Sequence, residues 1–579
     1  MTDHYRDACA ELIAAGSPFA ITETIVRGVA LKTFAVAPPS LRAIWENAVA
    51  TNADKLYVVY EDEHYTYGEI GASVRSLAHY LRNTHKVGSG DRVAIAMRNY
   101  PEWIVAYWAT VSLGAAVVGM NAWWTGTEME FGLSDSAPKV LIADAERIDR
   151  ILPCLETLRA ANPLHIISVR TDRELPADSV RWDDVVVGMD VPDDLPSATI
   201  DPDDDGCIFY TSGTTGFPKG AQLTNRGSVS NVMNLMFMAT AIAAADARAL
   251  AAGDVPAPTT PPLPPPEQSV YLLTTPLFHV TANNCGLHPA TITGGAVVLM
   301  YKWDAGRALE LIEREKVTSS GGVPTMSREL LAHPDWATRD TSSLRGLGGG
   351  GAQLQPDLVG KIASAVKNGA PSTGYGLTET NGIVTAISGR SFINKPASCG
   401  PIVPTLEAKL VDDEGNDLPN GPDTVGQLCV KGAVVIKGYI NRPEATADAI
   451  RDGWFNTGDI ARIDSEGYVF IVDRAKDMVL RGGENVYCSE VEIVIYQHDA
   501  VAEVAVFGVP DERLGEDVAV AIVLHPGATF TVEELRAFLG ERLAKHKIPG
   551  KVWFLDESLP RNANGKFVKR ELRAKLLAE

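Results

Sequence analysis

The sequence predicts a multidomain α/β protein, and three observations carry that expectation. Its 579 residues exceed the roughly 100–200 usual for one domain. Short apolar runs at 93–97, 139–142, 207–210 and 296–300 alternate with helix-length stretches and Gly-rich turns, as strands do when they alternate with helices. A fresh strand-and-helix pattern then begins near Val491, so a small C-terminal domain is expected after a large N-terminal one. The composition, 45% hydrophobic and 22% charged, suits a globular chain with a sizeable core. No repeat of 20 to 50 residues is visible, which excludes a solenoid.

The formal net charge of −21 argues against nucleic acid or an anionic lipid surface as partner, since both require clustered Lys and Arg. An acidic chain that takes an anionic ligand must do so through local donors. The seven cysteines (Cys9, Cys154, Cys207, Cys285, Cys399, Cys429 and Cys488) are scattered and never spaced as CxxC, so neither a zinc site nor a disulfide framework is suggested. Residues 1–16 carry acids early and lack a basic start followed by a long apolar run. That is not a signal peptide, and a cytoplasmic location is expected.

Along the chain, the stretch 103–127 contains no charged side chain and raises the question of a membrane span. Thr110, Ser112, Gly114 and Asn121 interrupt it, so the expectation is a helix ending at Gly114 followed by a buried strand over 115–120, with no transmembrane segment. Residues 241–266 are Ala-rich and then Pro-rich, and successive prolines exclude both helix and central strand. They read as an exposed, partly mobile insertion, either a tolerated surface loop or a polyproline face for a partner. Beyond Val491 come a helix-like stretch, strands over 502–509 and 518–524, and an amphipathic helix from Thr531. The charged run DRAKD at 473–477 is a candidate hinge, although a solvated turn has the same composition.

The strongest chemical signal is YTSGTTGFPKG at 210–220. Its glycines let backbone amides approach phosphate oxygens, its hydroxyls add donors, and Lys219 supplies a point charge. It is not a Walker A loop, because Gly220 follows Lys219 where that loop has Ser or Thr. The string resembles the phosphate-binding loop of the adenylate-forming (ANL) superfamily, which includes acyl-CoA synthetases, firefly luciferase and nonribosomal adenylation domains. YGLTE at 375–379, TGD at 457–459, DRAKD at 473–477, Gly482-Gly483 and NGK at 564–566 match further motifs of that family in the same order.

The resemblance implies a large N-terminal domain (1–473) of stacked α/β subdomains with a β-barrel-like part, a hinge (474–477) and a small mobile C-terminal α/β domain (478–579). It also implies an ATP site. Thr211, Ser212, Gly213, Thr214, Thr215, Gly216 and Lys219 would cradle the phosphates, and Thr211 and Glu379 would hold Mg²⁺, a hard ion that suits oxygen ligands. Tyr375 offers an aromatic face to adenine, opposite the glycines at 348–351, with Gly350, Gly351, Ala352, Gln353, Thr373, Gly374 and Gly376 completing the nucleotide pocket. Thr378 would bond the α-phosphate region, and Asp459 the ribose diol. Arg474 either reaches the same sugar or forms an interdomain salt bridge. Lys566 would bridge the substrate carboxylate and the α-phosphate. Lys476 marks the pivot, and Gly482 and Gly483 line the pantetheine path. Gln353 departs from the Pro that relatives often carry there.

The expected activity is that of an ATP-dependent acid:CoA ligase: carboxylate and ATP give acyl-AMP and pyrophosphate, and coenzyme A then displaces AMP. The segment 478–492 looks most like that of fatty acyl-CoA ligases. The segment PLFHV at 276–280 lacks the Asp that amino-acid-activating relatives place there, and no carrier domain follows Glu579. Candidate acyl-pocket walls are Phe278, His279, Val280, Asn283, Gly321 and Val323; His279 can equally be a buried structural imidazole. They point to a fatty or other hydrophobic acid without separating it from aryl or alicyclic ones. Delivery to a carrier protein, a luciferase-like oxygenase and a non-catalytic binding protein are the alternatives, and a homodimer is left open.

Overall fold

The computed structural model describes residues 2–186, 192–211, 218–256, 264–482, 484–563 and 565–578. A hairpin, Ile21–Val26 with Val29–Phe34, precedes four larger sheets among the described residues. The first has seven strands and includes Arg92–Ala96, Ala116–Gly119, Val140–Asp144 and Asp205–Thr211 in parallel, with Lys219–Thr224 antiparallel at its edge. The second has eight, including Val270–Leu273, Ser319–Gly321, Gly346–Gly350 and Ala370–Leu377 in parallel. Parallel strands are covered on both faces, so their sequences read as unbroken apolar runs. Val93, Ala94, Ile95 and Ala96 are accordingly all fully buried. A seven-stranded antiparallel sheet takes the place of the barrel-like part and carries Trp454–Ile463 and Tyr468–Arg474.

The charge-free stretch resolves as the sequence suggests. Pro101–Ser112 is a buried helix, Gly114 turns the chain at φ +73°, and Ala116–Gly119 pairs within the first sheet. The insertion differs from expectation. Its Ala-rich half is the last third of one long helix, Asn225–Ala251, whose Ala241, Ala245 and Ala249 are buried at i, i+4 and i+8. The N-terminal helix Thr2–Leu12 packs on it, with the Tyr5 hydroxyl donating to Met238 Sδ at 3.4 Å. Residues 257–263 of the Pro-rich half lie outside the described residues. By length and composition the helix could cross a membrane, but 61% of its apolar window is buried inside the protein.

The five-stranded C-terminal sheet includes Val479–Arg481, Glu484–Val486, Val501–Asp511 and Gly515–Leu524. Val491, Val504, Val520 and Leu535 share its core with Val532–Gly540. That helix starts in a capping box in which Thr531 and Glu534 satisfy each other's backbone amides.

Candidate active site

In open α/β sheets, ligands collect outside the carboxyl ends of the strands, where the chain turns and backbone groups are unpaired. Several of the residues singled out from the sequence follow that rule. Thr211 ends one strand, Phe278 and His279 follow Val270–Leu273, Gly321 and Gly350 end theirs, and Thr378 follows Ala370–Leu377.

On the phosphate side, Thr211 pairs in register with Lys219, and its hydroxyl lies 3.5 Å from the Lys219 carbonyl. The Lys219 ammonium sits 5.1 Å from the centre of the Tyr439 ring. The Tyr439 hydroxyl donates to Glu379 Oε1 at 3.0 Å. Tyr439 therefore links the loop lysine to the candidate magnesium ligand, a role no motif in the sequence announces. Thr378 and Glu379 share a 3₁₀ turn, Thr378–Thr380. Ser212, Gly213, Thr214, Thr215 and Gly216 lie outside the described residues.

On the nucleoside side, Asp459 is buried and both its oxygens are engaged. The Tyr375 hydroxyl donates to Oδ2 at 2.5 Å, and Arg474 Nε lies 3.0 Å from Oδ1. Arg474 and Asp459 are register partners on adjacent strands, so this salt bridge lies within one antiparallel sheet. Burial raises the Asp459 carboxyl above its usual range, and Arg474 and Tyr375 oppose that rise. The strand Gly346–Gly350 lies parallel to Ala370–Leu377 with Gly350 opposite Gly374, and Thr373 donates to the Gly349 carbonyl at 2.7 Å. Gly376 can carry no side chain, because a Cβ there would lie 1.8 Å from the Gly382 carbonyl oxygen. Ala352 and Gln353 follow in the turn, exposed and half-buried.

Lys566 enters from the C-terminal part. A Cβ added at Gly351, which has φ +73°, would lie 3.1 Å from Lys566 Cε and 3.5 Å from Nζ. Burial first, with the Arg474 and Lys476 charges, brings the Lys566 ammonium down to about 8 against the opposing effect of Asp459 and Glu379. His279 feels the same lysine: burial and Lys566 hold its imidazole down at about 3, so it is neutral. Its Nε2 is buried with no hydrogen-bond partner among the described residues.

On the acyl side, the rings of Phe278 and His279 are 4.6 Å apart and Val280 is buried beside them. Asn283 opens a π-helical turn, Asn283–Leu287, and donates to Asn284 Oδ1 at 2.8 Å, while its own Oδ1 is buried and unpartnered. Gly321 accepts from the Thr274 hydroxyl at 2.6 Å and has open space where a side chain would stand. Val323 touches the lysine loop: a Cβ at Gly565 would lie 2.9 Å from Val323 Cγ2.

The candidate hinge is a turn at 475–477, with Asp477 and Met478 donating to the Arg474 carbonyl and Ala475 to Gly458. Asp473 grips the C-terminal part by accepting from the Cys488 amide, and burial raises its carboxyl to about 6. Gly482 follows the strand Val479–Arg481 at φ +62°, where its amide donates to the Leu514 carbonyl at 2.8 Å. Gly483 lies outside the described residues.

Among the described residues no group of three His, Cys, Asp or Glu side chains could hold a metal by itself. Magnesium carried by a nucleotide needs only one or two protein oxygens beside phosphate and water. Glu379, oriented by Tyr439, and Thr211 fit that requirement.

The sequence profile of the AMP-binding enzyme family matches residues 45–440, and that of the AMP-binding enzyme C-terminal domain matches residues 490–566. A feruloyl-CoA synthase of an Amycolatopsis species is 36% identical over 511 residues, covering 88% of this chain and 93% of that protein. A long-chain-fatty-acid–CoA ligase of Bacillus subtilis is 31% identical over 559 residues, covering 92% and 94%. Among solved structures, the o-succinylbenzoate coenzyme A synthetase MenE of Bacillus subtilis with ATP and magnesium ion superposes with a TM-score of 0.73 at 29% identity, over 92% of this chain and 99% of that one.

Proposed function

Since the chain belongs to the AMP-binding enzyme family and is an acid–CoA ligase, we propose that it joins a hydrophobic carboxylic acid to coenzyme A in two steps at one centre, with Lys566 serving the first. ATP, Mg²⁺ and coenzyme A are the co-substrates this reading requires. The observation that carries it is the position of Lys566 against Gly351, in the field of Asp459 and Glu379, although it belongs to the opposite end of the chain.

A carboxylate is a poor electrophile, and the α-phosphorus of ATP is shielded by negative charge. When a carboxylate oxygen attacks that phosphorus and pyrophosphate leaves, charge grows on the phosphoryl oxygens. The fixed Lys566 ammonium and the Thr378 hydroxyl stabilise that charge without reorganising, and water exclusion strengthens the effect. Asp459 accepts the ribose hydroxyls once Tyr375 and Arg474 yield its oxygens. Neutral His279 borders the reacting carboxyl, and Phe278, Val280, Gly321 and Val323 take the apolar body of the acid. In the second step the coenzyme A sulfur attacks the acyl carbon and AMP departs. The C-terminal part, residues 478–579, must then present Gly482 and Gly483 in place of Lys566, and it turns about Lys476. The domains on this reading are 1–473 and 478–579.

A second reading of the acid, an aryl acid with a polar substituent, is favoured by the 36% identity to a feruloyl-CoA synthase. Mass spectrometry of products from ATP, Mg²⁺ and a panel of fatty, aryl and alicyclic acids, with and without coenzyme A, tests both. A thioester that forms only with coenzyme A, from a hydrophobic acid, is the expected product. Acyl-AMP accumulating unchanged in the presence of coenzyme A would contradict the ligase reading.

A further inference from the structure

Lys566 sits in a short hairpin whose base is the antiparallel bridge between Arg561 and Phe567. The hairpin is internally closed. The Asn562 amide donates to the Lys566 carbonyl at 2.9 Å, the Gly565 amide to the Asn562 carbonyl at 2.8 Å, and the Lys566 amide to Asn562 Oδ1 at 3.1 Å. Whatever holds Arg561 therefore also holds Lys566.

Arg561 spans two parts of the molecule. Its Nη2 donates to Glu503 Oε1 at 2.5 Å within the C-terminal sheet, and its Nη1 donates to Glu329 Oε1 at 3.1 Å across the interface. Glu329 is fixed in turn, because its Oε2 accepts from Trp303 Nε1 at 2.6 Å. It belongs to the helix Pro324–Ala332, which starts at the acyl-pocket wall. Ser327 of that helix donates to the Gly348 carbonyl at 2.7 Å, tying it to the glycine strand. Arg328 pairs with Asp357 and lays its guanidinium 4.9 Å from the centre of the Tyr496 ring. One N-terminal helix thus meets the C-terminal part at Gly565, Arg561 and Tyr496.

We propose that Glu329 and Arg561 form a latch that seats Lys566 for acyl-adenylate formation and opens before the thiol step. They are positioning residues, since neither touches the reacting atoms. The proposal rests on the assignment of Lys566 to the first step. An ion pair as exposed as this one, with the Glu329 side chain 41% accessible, has a modest effect, which is what a latch that must open on each turnover requires.

The test is single-turnover kinetics of each half-reaction with Glu329→Gln, Glu329→Lys and Glu329→Asp, using an acid the wild-type protein converts and its synthetic acyl-adenylate. Glutamine keeps an acceptor for Trp303 and removes the charge. It is expected to slow acyl-AMP formation about fivefold, equivalent to about 1 kcal/mol. Lysine, repelling Arg561, is expected to slow it further, and aspartate to recover part of the rate. Thioester formation from supplied acyl-adenylate should run at the wild-type rate or faster in all three. Unchanged acyl-AMP formation in both Glu329→Gln and Glu329→Lys, or equal slowing of both half-reactions, would overturn the latch. If Lys566→Ala leaves acyl-AMP formation intact, the assignment of Lys566 fails instead; if Lys566→Ala abolishes it while the Glu329 variants behave as wild type, only the latch fails.

Discussion

Lys566 is a cation at the far end of its chain that folding carries into a half-buried position beside Gly351, and loss of solvent there makes its ammonium easier to deprotonate, at about 8. The protonated form is the one that stabilises negative phosphoryl oxygens. The sign follows: lysine is charged below its pKa, so the first half-reaction should be fully supported about a unit or more below pH 8 and decline as pH rises through it. Because kcat/KM reports groups of the free enzyme, kcat/KM for pyrophosphate release is expected to fall with a midpoint near pH 8. A profile flat to pH 9.5 would show that the Lys566 charge is not required. At this scale much of the candidate site was legible, since Lys566, Asp459, Glu379 and Tyr375 each sit in a short string that resembles a motif of the family. Their partners were not. Tyr439, which orients Glu379, and Glu329, which holds Arg561, lie in segments without any motif, and only tertiary folding brings them within hydrogen-bond reach.

Among the elements, the helix Asn225–Ala251 is where sequence and structure part. The alanines after residue 240 look like low complexity because alanine contrasts weakly with its neighbours, so the period of 3.6 is hard to see. The structure places Ala241, Ala245 and Ala249 on one buried stripe, under which Thr2–Leu12 can approach closely. A charge on that stripe would have no partner. Ala241→Asp is expected to destabilise the fold by about 3 kcal/mol or more, whereas Ala243→Asp, on the exposed side, should cost less than about 1 kcal/mol. Urea unfolding of the two variants checks this, and equal midpoints would mean that the stripe is not packed as described. The parallel strands, by contrast, were legible as bare apolar runs, because burial on both faces leaves no alternation to obscure them. The same rule explains why their carboxyl ends, where the runs give way to Gly, Thr and Ser, hold the site.

Across the whole molecule, two parts of the chain meet at one candidate centre. The large part contributes Glu379, Asp459, Gly351 and His279, and the small part contributes Lys566. The contacts between them include the polar ones at Arg561 and Tyr496, and the connecting turn at 475–477 is short, with Asp473 bonded to the first helix of the small part. That construction suits a domain that docks for one step and leaves for the next. A separate C-terminal sheet was readable from the renewed strand pattern near Val491, but how it meets the larger part was not, since no periodicity encodes how two surfaces meet. The central claim is that Lys566 acts in acyl-adenylate formation alone. Single-turnover measurement of both half-reactions in Lys566→Ala tests it most directly: acyl-AMP formation should fall by at least about a hundredfold, roughly 2.7 kcal/mol on that barrier, while transfer from supplied acyl-adenylate to coenzyme A proceeds near the wild-type rate. An equal loss in both half-reactions, or none in the first, would contradict the account.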